Sequence, residues 1–237
     1  MRIRSCGAVL LLTIVAGCAP AVKRSGPVSE QNAASVREGP TEADLEAEFR
    51  RNRGAIRESP EFRGTGAEMH VRLGDKLHHR GDLTGAIEEY RAAIALEPEL
   101  DEAYRGLGVV LMDRHDWPGA VEALRAATRL RGDDAEALYW LGRGLMAQGD
   151  WAGATAALQQ TIRLRPDDAE AYADLGLVHM AQGRPDEAAN VLQQAVQIKP
   201  DHADTHRLLE MVVTFRHDPQ QVIRSARRIL DTLFARE

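Results

Sequence analysis

An all-α solenoid of helical hairpins is the fold class this sequence predicts, and three observations predict it. From Ala67 the chain repeats with a 34-residue period. Each block holds two apolar-patterned stretches of helical length, separated by a turn such as Gly81-Asp82 or Gly149-Asp150. Period-two alternation, the mark of a half-buried strand, is absent beyond a few residues.

Residues 1–17 read as an export signal. Arg2 and Arg4 give a positive start, and Gly7 to Ala16 is an apolar run. That run matches a secretory signal core and is too short for the ~20 apolar residues that span a bilayer. Val15-Ala16-Gly17-Cys18 resembles the lipobox of bacterial lipoproteins. The resemblance implies cleavage after Gly17, a diacylglyceryl thioether on Cys18 and acylation of the new amino group. A thiol is also the best available nucleophile for alkylation. A Cys6–Cys18 disulfide is the alternative, but Cys6 would leave with the signal. Several acyl chains, at ~0.8 kcal/mol per buried CH₂, hold a protein on a membrane without spanning it. Ala19, not Asp, follows the cysteine; in the resembled lipoproteins this points to the outer membrane, facing the periplasm.

The lipidated Cys18 and a tether fill residues 18–40, where Pro, Gly, Ser and Gln leave no large apolar residue beyond three valines. Such a segment cannot bury enough surface to order itself, and its reach is roughly 25 Å. Residues 41–66 are expected to form a lead-in helix, opened by Thr41 and Asp44 as a capping pair and closed by the linker Gly64-Thr65-Gly66.

Four repeats follow over 67–202, at 67–100, 101–134, 135–168 and 169–202; the last two agree at 15 of 34 positions without a gap. Leu-Gly at positions 7 and 8 recurs as Leu73-Gly74, Leu107-Gly108, Leu141-Gly142 and Leu175-Gly176, and Ala at position 20 as Ala86, Ala120, Ala154 and Ala188. Position 24 is Tyr90, Leu124, Leu158 and Leu192, and the closing proline is Pro98, Pro166 and Pro200. Small residues at 8 and 20 let two helices approach, and bulky ones at 7 and 24 fill the space between them. In period and pattern the chain resembles the tetratricopeptide repeat (TPR) family. The resemblance implies a right-handed α-solenoid of four helix-turn-helix repeats. The second repeat departs twice, with His115 at the turn glycine and Gly132 at the closing proline, which puts its turn geometry in question. Residues 203–237 are expected to be C-terminal capping helices: a fifth first-helix around Leu209, then a helix after Asp218-Pro219 with Val222, Ile223, Ala226, Ile229, Leu230, Leu233 and Phe234 on one face. Arg224, Arg227, Arg228 and Arg236 lie opposite that face; packing as the end cap is the plainer reading, and anionic lipid or a partner the other.

Composition narrows the function classes. The chain has 30 Lys and Arg against 36 Asp and Glu, and residues 1–17 contain two of those arginines and no acid. An acidic mature chain lacks the basic footprint of a nucleic-acid binder. From Pro60 to Arg224 there is no serine or cysteine, so the common oxygen and sulfur nucleophiles are missing from the repeats and no enzyme is expected. Gly106-Leu107-Gly108 and Gly142-Arg143-Gly144 lie inside expected helices, where close packing explains them better than a phosphate loop. His202 and His206 have i, i+4 spacing without an evident third ligand, and His78-His79 are no better placed. No metal, cofactor or small-molecule substrate is expected. Glu68, Glu102, Glu136, Glu170 and Asp204 recur at position 2, where helix-dipole complementarity accounts for them.

In the resembled family the first helices line a concave groove, using positions near 2, 5, 6, 9, 12 and 13. Those positions hold Arg105, Val109, Met112, Tyr139, Trp140, Arg143, Met146, Ala173, Leu177 and Met180. Met at position 12 of three successive repeats, beside Tyr and Trp, reads as an adaptable surface for a peptide or helix. The alternative, that Trp140 and the methionines complete the core between repeats, stays open. No groove position carries the asparagines and lysines with which repeats of this kind clamp chaperone C-termini. The expected function is a membrane-tethered adaptor of the bacterial envelope that captures an envelope protein in the groove. The alternatives are an obligate subunit of pilus-assembly or secretion machinery and, less favoured, a metal-binding enzyme or carrier.

Overall fold

A computed structural model describes residues 63–235. The expected signal 1–17, Cys18 with the tether 18–40, and residues 41–62 of the expected lead-in segment lie outside the described residues. Ten helices follow in order: α1 (Arg63–His79), α2 (Leu83–Leu96), α3 (Asp101–Asp113), α4 (Trp117–Leu130), α5 (Ala135–Gln148), α6 (Trp151–Leu164), α7 (Ala169–Ala181), α8 (Pro185–Ile198), α9 (Ala203–Thr214) and α10 (Pro219–Leu233). They are antiparallel and packed in pairs, each helix against the next from α1 to α9. Neighbouring odd-numbered helices touch as well, α1 with α3, α3 with α5, α5 with α7 and α7 with α9. The odd helices therefore form the inner layer of the curve and the even helices the outer one.

The first helix starts earlier than the sequence suggests. Gly64-Thr65-Gly66, expected as a linker, lies inside the first turn of α1. Ala67, His70 and Val71 just beyond it are buried, and their packing holds a turn that two glycines weaken.

Each hairpin closes on the same contact. A Cβ at Gly108 would lie 2.5 Å from Cγ of Leu124, at Gly142 2.8 Å from Cγ of Leu158, and at Gly176 2.6 Å from Cγ of Leu192. Leu124, Leu158 and Leu192 are fully buried, so the bare backbone at position 8 is the space that the position-24 side chain fills. Asp82, Asp116 and Asp150 start α2, α4 and α6, accepting hydrogen bonds from the backbone N–H groups of Gly85 (2.9 Å), Gly119 (3.2 Å) and Gly153 (2.9 Å).

The second repeat keeps the common geometry despite its two departures. His115 takes φ +57°, beside Gly81, Gly149 and Gly183 at +79°, +76° and +69°. Its N–H donates to the Met112 carbonyl at 2.9 Å, as Gly149 donates to Met146 at 3.0 Å. The imidazole also stands edge-on to Trp117, with ring centroids 4.9 Å apart, a contact that offsets the cost of a left-handed side chain. At the other departure, Arg131 (φ −131°, ψ 95°) ends α4 much as Arg165 (−131°, 83°) ends α6. Gly132 thus changes nothing in the turn.

The two C-terminal helices behave differently. Helix α9 continues the stack on α8, whereas α10 turns back and packs on α7. Val222, Ala226 and Leu230, one turn apart, are its buried stripe. At its start Cδ1 of Ile223 reaches the turn at Gly183, 2.9 Å from where a Cβ would stand. At its end Phe234 meets Trp117 edge-on at 5.4 Å. Helix α10 thus lies against the last inner helices and reaches back along the solenoid from Gly183 to Trp117.

Replacing Gly149 by Ala tests the turn alone, because only ordinary contact awaits the new methyl at 3.8 Å from Trp151. The positive φ should cost about 1–2 kcal/mol in urea unfolding. Gly142→Ala tests the helix contact, and overpacking against Leu158 should cost about 1–3 kcal/mol.

Candidate functional site

A cleft of about 680 Å³ opens on the inner layer between α5, α7, α9 and α10. Tyr139 and Arg143 enter it from α5, Ala173, Asp174 and Leu177 from α7, Thr205, Leu208 and Met211 from α9, and Ile229 and Leu233 from α10. The register explains the set. Residues 139, 143, 173 and 177 occupy positions 5 and 9 of their repeats, and four-residue spacing keeps them on one face of each helix.

Arg143 organises the floor of the cleft. Its Nε lies 3.7 Å from Oδ2 of Asp174, and its guanidinium sits 5.4 Å from the Trp140 ring centroid and 6.0 Å from that of Tyr139. The two rings meet edge-on at 5.5 Å. Burial pushes the Asp174 carboxyl up to about 6; Arg143 and the Tyr139 hydroxyl pull it down, and Glu170 and Asp168 add to the rise. Burial likewise pushes the Tyr139 phenol well above its ordinary value.

Arg105, the other expected groove arginine, joins two repeats. It pairs with Glu136 and lies 3.6 Å from Asp134. Burial opposes ionisation of Asp134, but the Ala137 N–H, Arg105 and Arg131 outweigh it and hold this carboxyl below the usual range. Within the second repeat, Arg131 reaches Asp101 at 2.7 Å and Asp134 at 3.2 Å. These arginines bind the solenoid to itself.

The methionine ladder is corrected more sharply. Met112, Met146 and Met180 are 5%, 2% and 0% exposed and belong to the core. Sδ of Met112 packs where a Cβ on Gly144 would stand, at 3.3 Å, between the second and third repeats. Met146 lines a second cleft, of about 520 Å³, with Trp117, Trp151, Leu230 and Phe234, on the other flank of α10. Ala173 and Leu177 are buried as well, leaving Tyr139, Trp140 and Val109 half-buried. Asp174 was missing from the expected site although it sits at position 6 of its repeat. Leu208 and Met211 of α9 were missing although they sit at positions 6 and 9 of the fifth first-helix counted from Ala203; the residues of α10 follow no repeat register.

The histidine pairs do not converge. Nδ1 of His202 shares a 2.5 Å hydrogen bond with Oγ1 of Thr205, while His206 donates from Nε2 to the Pro200 carbonyl at 2.6 Å. Nε2 of His78 lies 2.6 Å from Oδ2 of Asp113, and Nδ1 of His79 donates to the Asp75 carbonyl at 2.7 Å. Among the described residues no three His, Cys, Asp or Glu side chains gather to hold a metal. No helix among them is long and apolar enough to cross a membrane.

Paired helices stacked around an inner groove define a TPR-type protein-interaction scaffold. The family model of the cilia and flagella-associated protein 70 C-terminal domain matches residues 29–232, and the chain belongs to that family. Among solved structures, MamA is 28% identical, covering 70% of this chain and 88% of that chain with a TM-score of 0.62. YrrB, described as a TPR protein with an unusual peptide-binding site, is 22% identical over 65% and 80% of the two chains (TM-score 0.58). The Pseudomonas aeruginosa pilF protein is 20% identical over 73% and 77% (TM-score 0.59). At the last two identities the likeness is one of fold. No curated protein sequence matches the chain.

The raised Asp174 carboxyl has a pH signature. Between its ordinary value of 3.8 and about 6, the native state holds a proton that the unfolded chain has released. This group's contribution is therefore complete at low pH and is lost as pH rises through 6. Asp174→Asn removes that dependence. From pH 4 to pH 7, unfolding free energies of the variant relative to the unsubstituted protein should shift in the variant's favour by about 2 kcal/mol. A flat difference would refute the raised value.

Proposed function

We infer that this protein is a membrane-tethered adaptor of the bacterial envelope that captures a partner segment in its concave cleft. The observation that carries the capture is the cleft itself: apolar side chains of α7, α9 and α10 beside the Tyr139–Arg143–Asp174 group. Aromatic, arginine and aliphatic side chains converging in a concavity are the usual composition of a binding hot spot. The tether rests on the sequence alone. Val15-Ala16-Gly17-Cys18 after an apolar run supports lipidation at Cys18, and Ala19 supports the outer membrane, facing the periplasm. Lipid attachment raises the effective concentration of any partner in the same membrane, so a modest groove affinity suffices.

Two measurements test the two halves. Cys18→Ser should move the protein from the membrane fraction to the soluble one; retention in the membrane would refute the lipid anchor. A photocrosslinking residue at Leu208, in the cleft, should trap an envelope protein in cells, while one at Glu122, exposed on α4, should not. Equal trapping from both positions would move the binding surface away from the groove.

A further inference from the structure

Most polar side chains around the 680 Å³ cleft are already committed to partners in this chain. Glu170 lies 4.0 Å from Nζ of Lys199, and Asp204 pairs with Arg207 at 3.3 Å. His202 and Thr205 share a 2.5 Å hydrogen bond, and Oγ1 of Thr232 donates to the Arg228 carbonyl at 2.9 Å. Arg143 is the exception on the floor. Its Nε stands 3.7 Å from Oδ2 of Asp174, beyond hydrogen-bonding reach, and among the described residues neither of these buried atoms has a hydrogen-bond partner. The guanidinium is nevertheless held in place, over the rings of Trp140 and Tyr139. Arg228 is the exception at the rim. It lines the cleft, is exposed, and among the described residues its guanidinium forms no ion pair. Two guanidinium groups thus stand against the single carboxylate of Asp174, which leaves the cleft a net positive charge and unused N–H donors.

We propose that this cleft binds an aliphatic monocarboxylate of the fatty-acid type, its carboxylate on Arg143 and its alkyl chain along Leu208, Met211, Ile229 and Leu233. The inference goes beyond capture of a protein segment and does not depend on it. A guanidinium presents parallel N–H groups that match a carboxylate bidentately, and one fixed on aromatic rings has little freedom left to lose on binding. A carboxylate also brings the single negative charge that the uncommitted groups lack. The apolar body follows from the rest of the lining: Leu208 and Met211 come from α9, Ile229 and Leu233 from α10, and Leu233 is 46% exposed. An extended peptide would need partners for its N–H and C=O groups, which the committed side chains do not offer. An alkyl chain needs none. The volume of about 680 Å³ falls within the roughly 300–1,000 Å³ of small-molecule sites.

The test is calorimetric titration of the full chain with decanoate at neutral pH. Decanoate should saturate a single site and bind about tenfold more tightly than decanol, which has the same chain without the charge. Arg143→Gln should weaken decanoate binding about tenfold. Asp174→Asn should strengthen it several-fold, because it removes the carboxylate that competes for Arg143; a damaged fold would not produce such a gain. Absence of saturable binding, equal affinity for decanol, or equal decanoate affinity in both variants and the unsubstituted protein would overturn the proposal. A leucine-rich pentapeptide that outcompetes decanoate only while its C-terminal carboxylate is free would also overturn it, and would assign Arg143 to a partner's C-terminus. Each of these results leaves the crosslinking test of groove capture standing.

Discussion

The contact between position 8 of each first helix and position 24 of each second one governs the rest of this molecule. With glycine at 74, 108, 142 and 176 and a bulky side chain opposite, the two backbones approach until the leucine or tyrosine lies over bare helix. That distance obliges the chain to reverse within very few residues. The reversal puts the turn residue at positive φ and the following aspartate at an N-cap. His115 shows how strong the constraint is: a residue with a Cβ, for which that conformation is costlier than for glycine, adopts it to close the same turn. Since hairpins of one shape can stack in only one manner, the curve of the inner layer and the groove follow from the same contact.

The stacking in turn decides how the inner-layer charges are used. Arg105 and Arg143 point along the solenoid and meet acids about one repeat further on, Asp134 with Glu136 and Asp174 respectively. Such pairs are half-buried and held by aromatic or backbone neighbours, so they fix register between repeats more than they add stability. The groove is left with little free charge at its centre. Exposed charge collects at its C-terminal end, on Glu170, Asp204 and Arg207, where α10 lies. Recognition is thereby concentrated at the end where the chain supplies its own occupant.

Most of the fold was legible because it is periodic. Helix pairing, the small-residue contacts and the aspartate caps recur every 34 residues, and repetition separates signal from accident. The ion pairs were legible in principle, since Arg143 and Asp174 stand 31 residues apart, nearly one period. The methionines were not. Register places Met112, Met146 and Met180 at one position of the inner layer, but it cannot say what lies above them. Met112 is covered by the next repeat at Gly144, and Met146 borders Leu230 and Phe234 of α10. The second is a contact across more than eighty residues that no local pattern encodes. The same nonlocality hid Asp174, whose burial depends on its neighbours and not on its position number.

A helix joined to its own groove by the short turn before Asp218 competes at an effective concentration on the millimolar scale. A free partner at micromolar concentration would need to bind the face roughly 1000-fold more tightly, about 4 kcal/mol. Helix α10 keeps Val222, Ala226 and Leu230 buried, so a partner must replace that apolar contact as well as overcome the local concentration. Lipid attachment at Cys18, as inferred, supplies part of the difference by confining protein and partner to one membrane. Neither feature alone makes a selective adaptor. An anchored groove without a resident helix would hold any apolar segment that reached the membrane, and a self-covered groove without an anchor would rarely open. With the proposed Cys18 anchor, the two would together favour a partner that is both a better-fitting helix and in the same membrane.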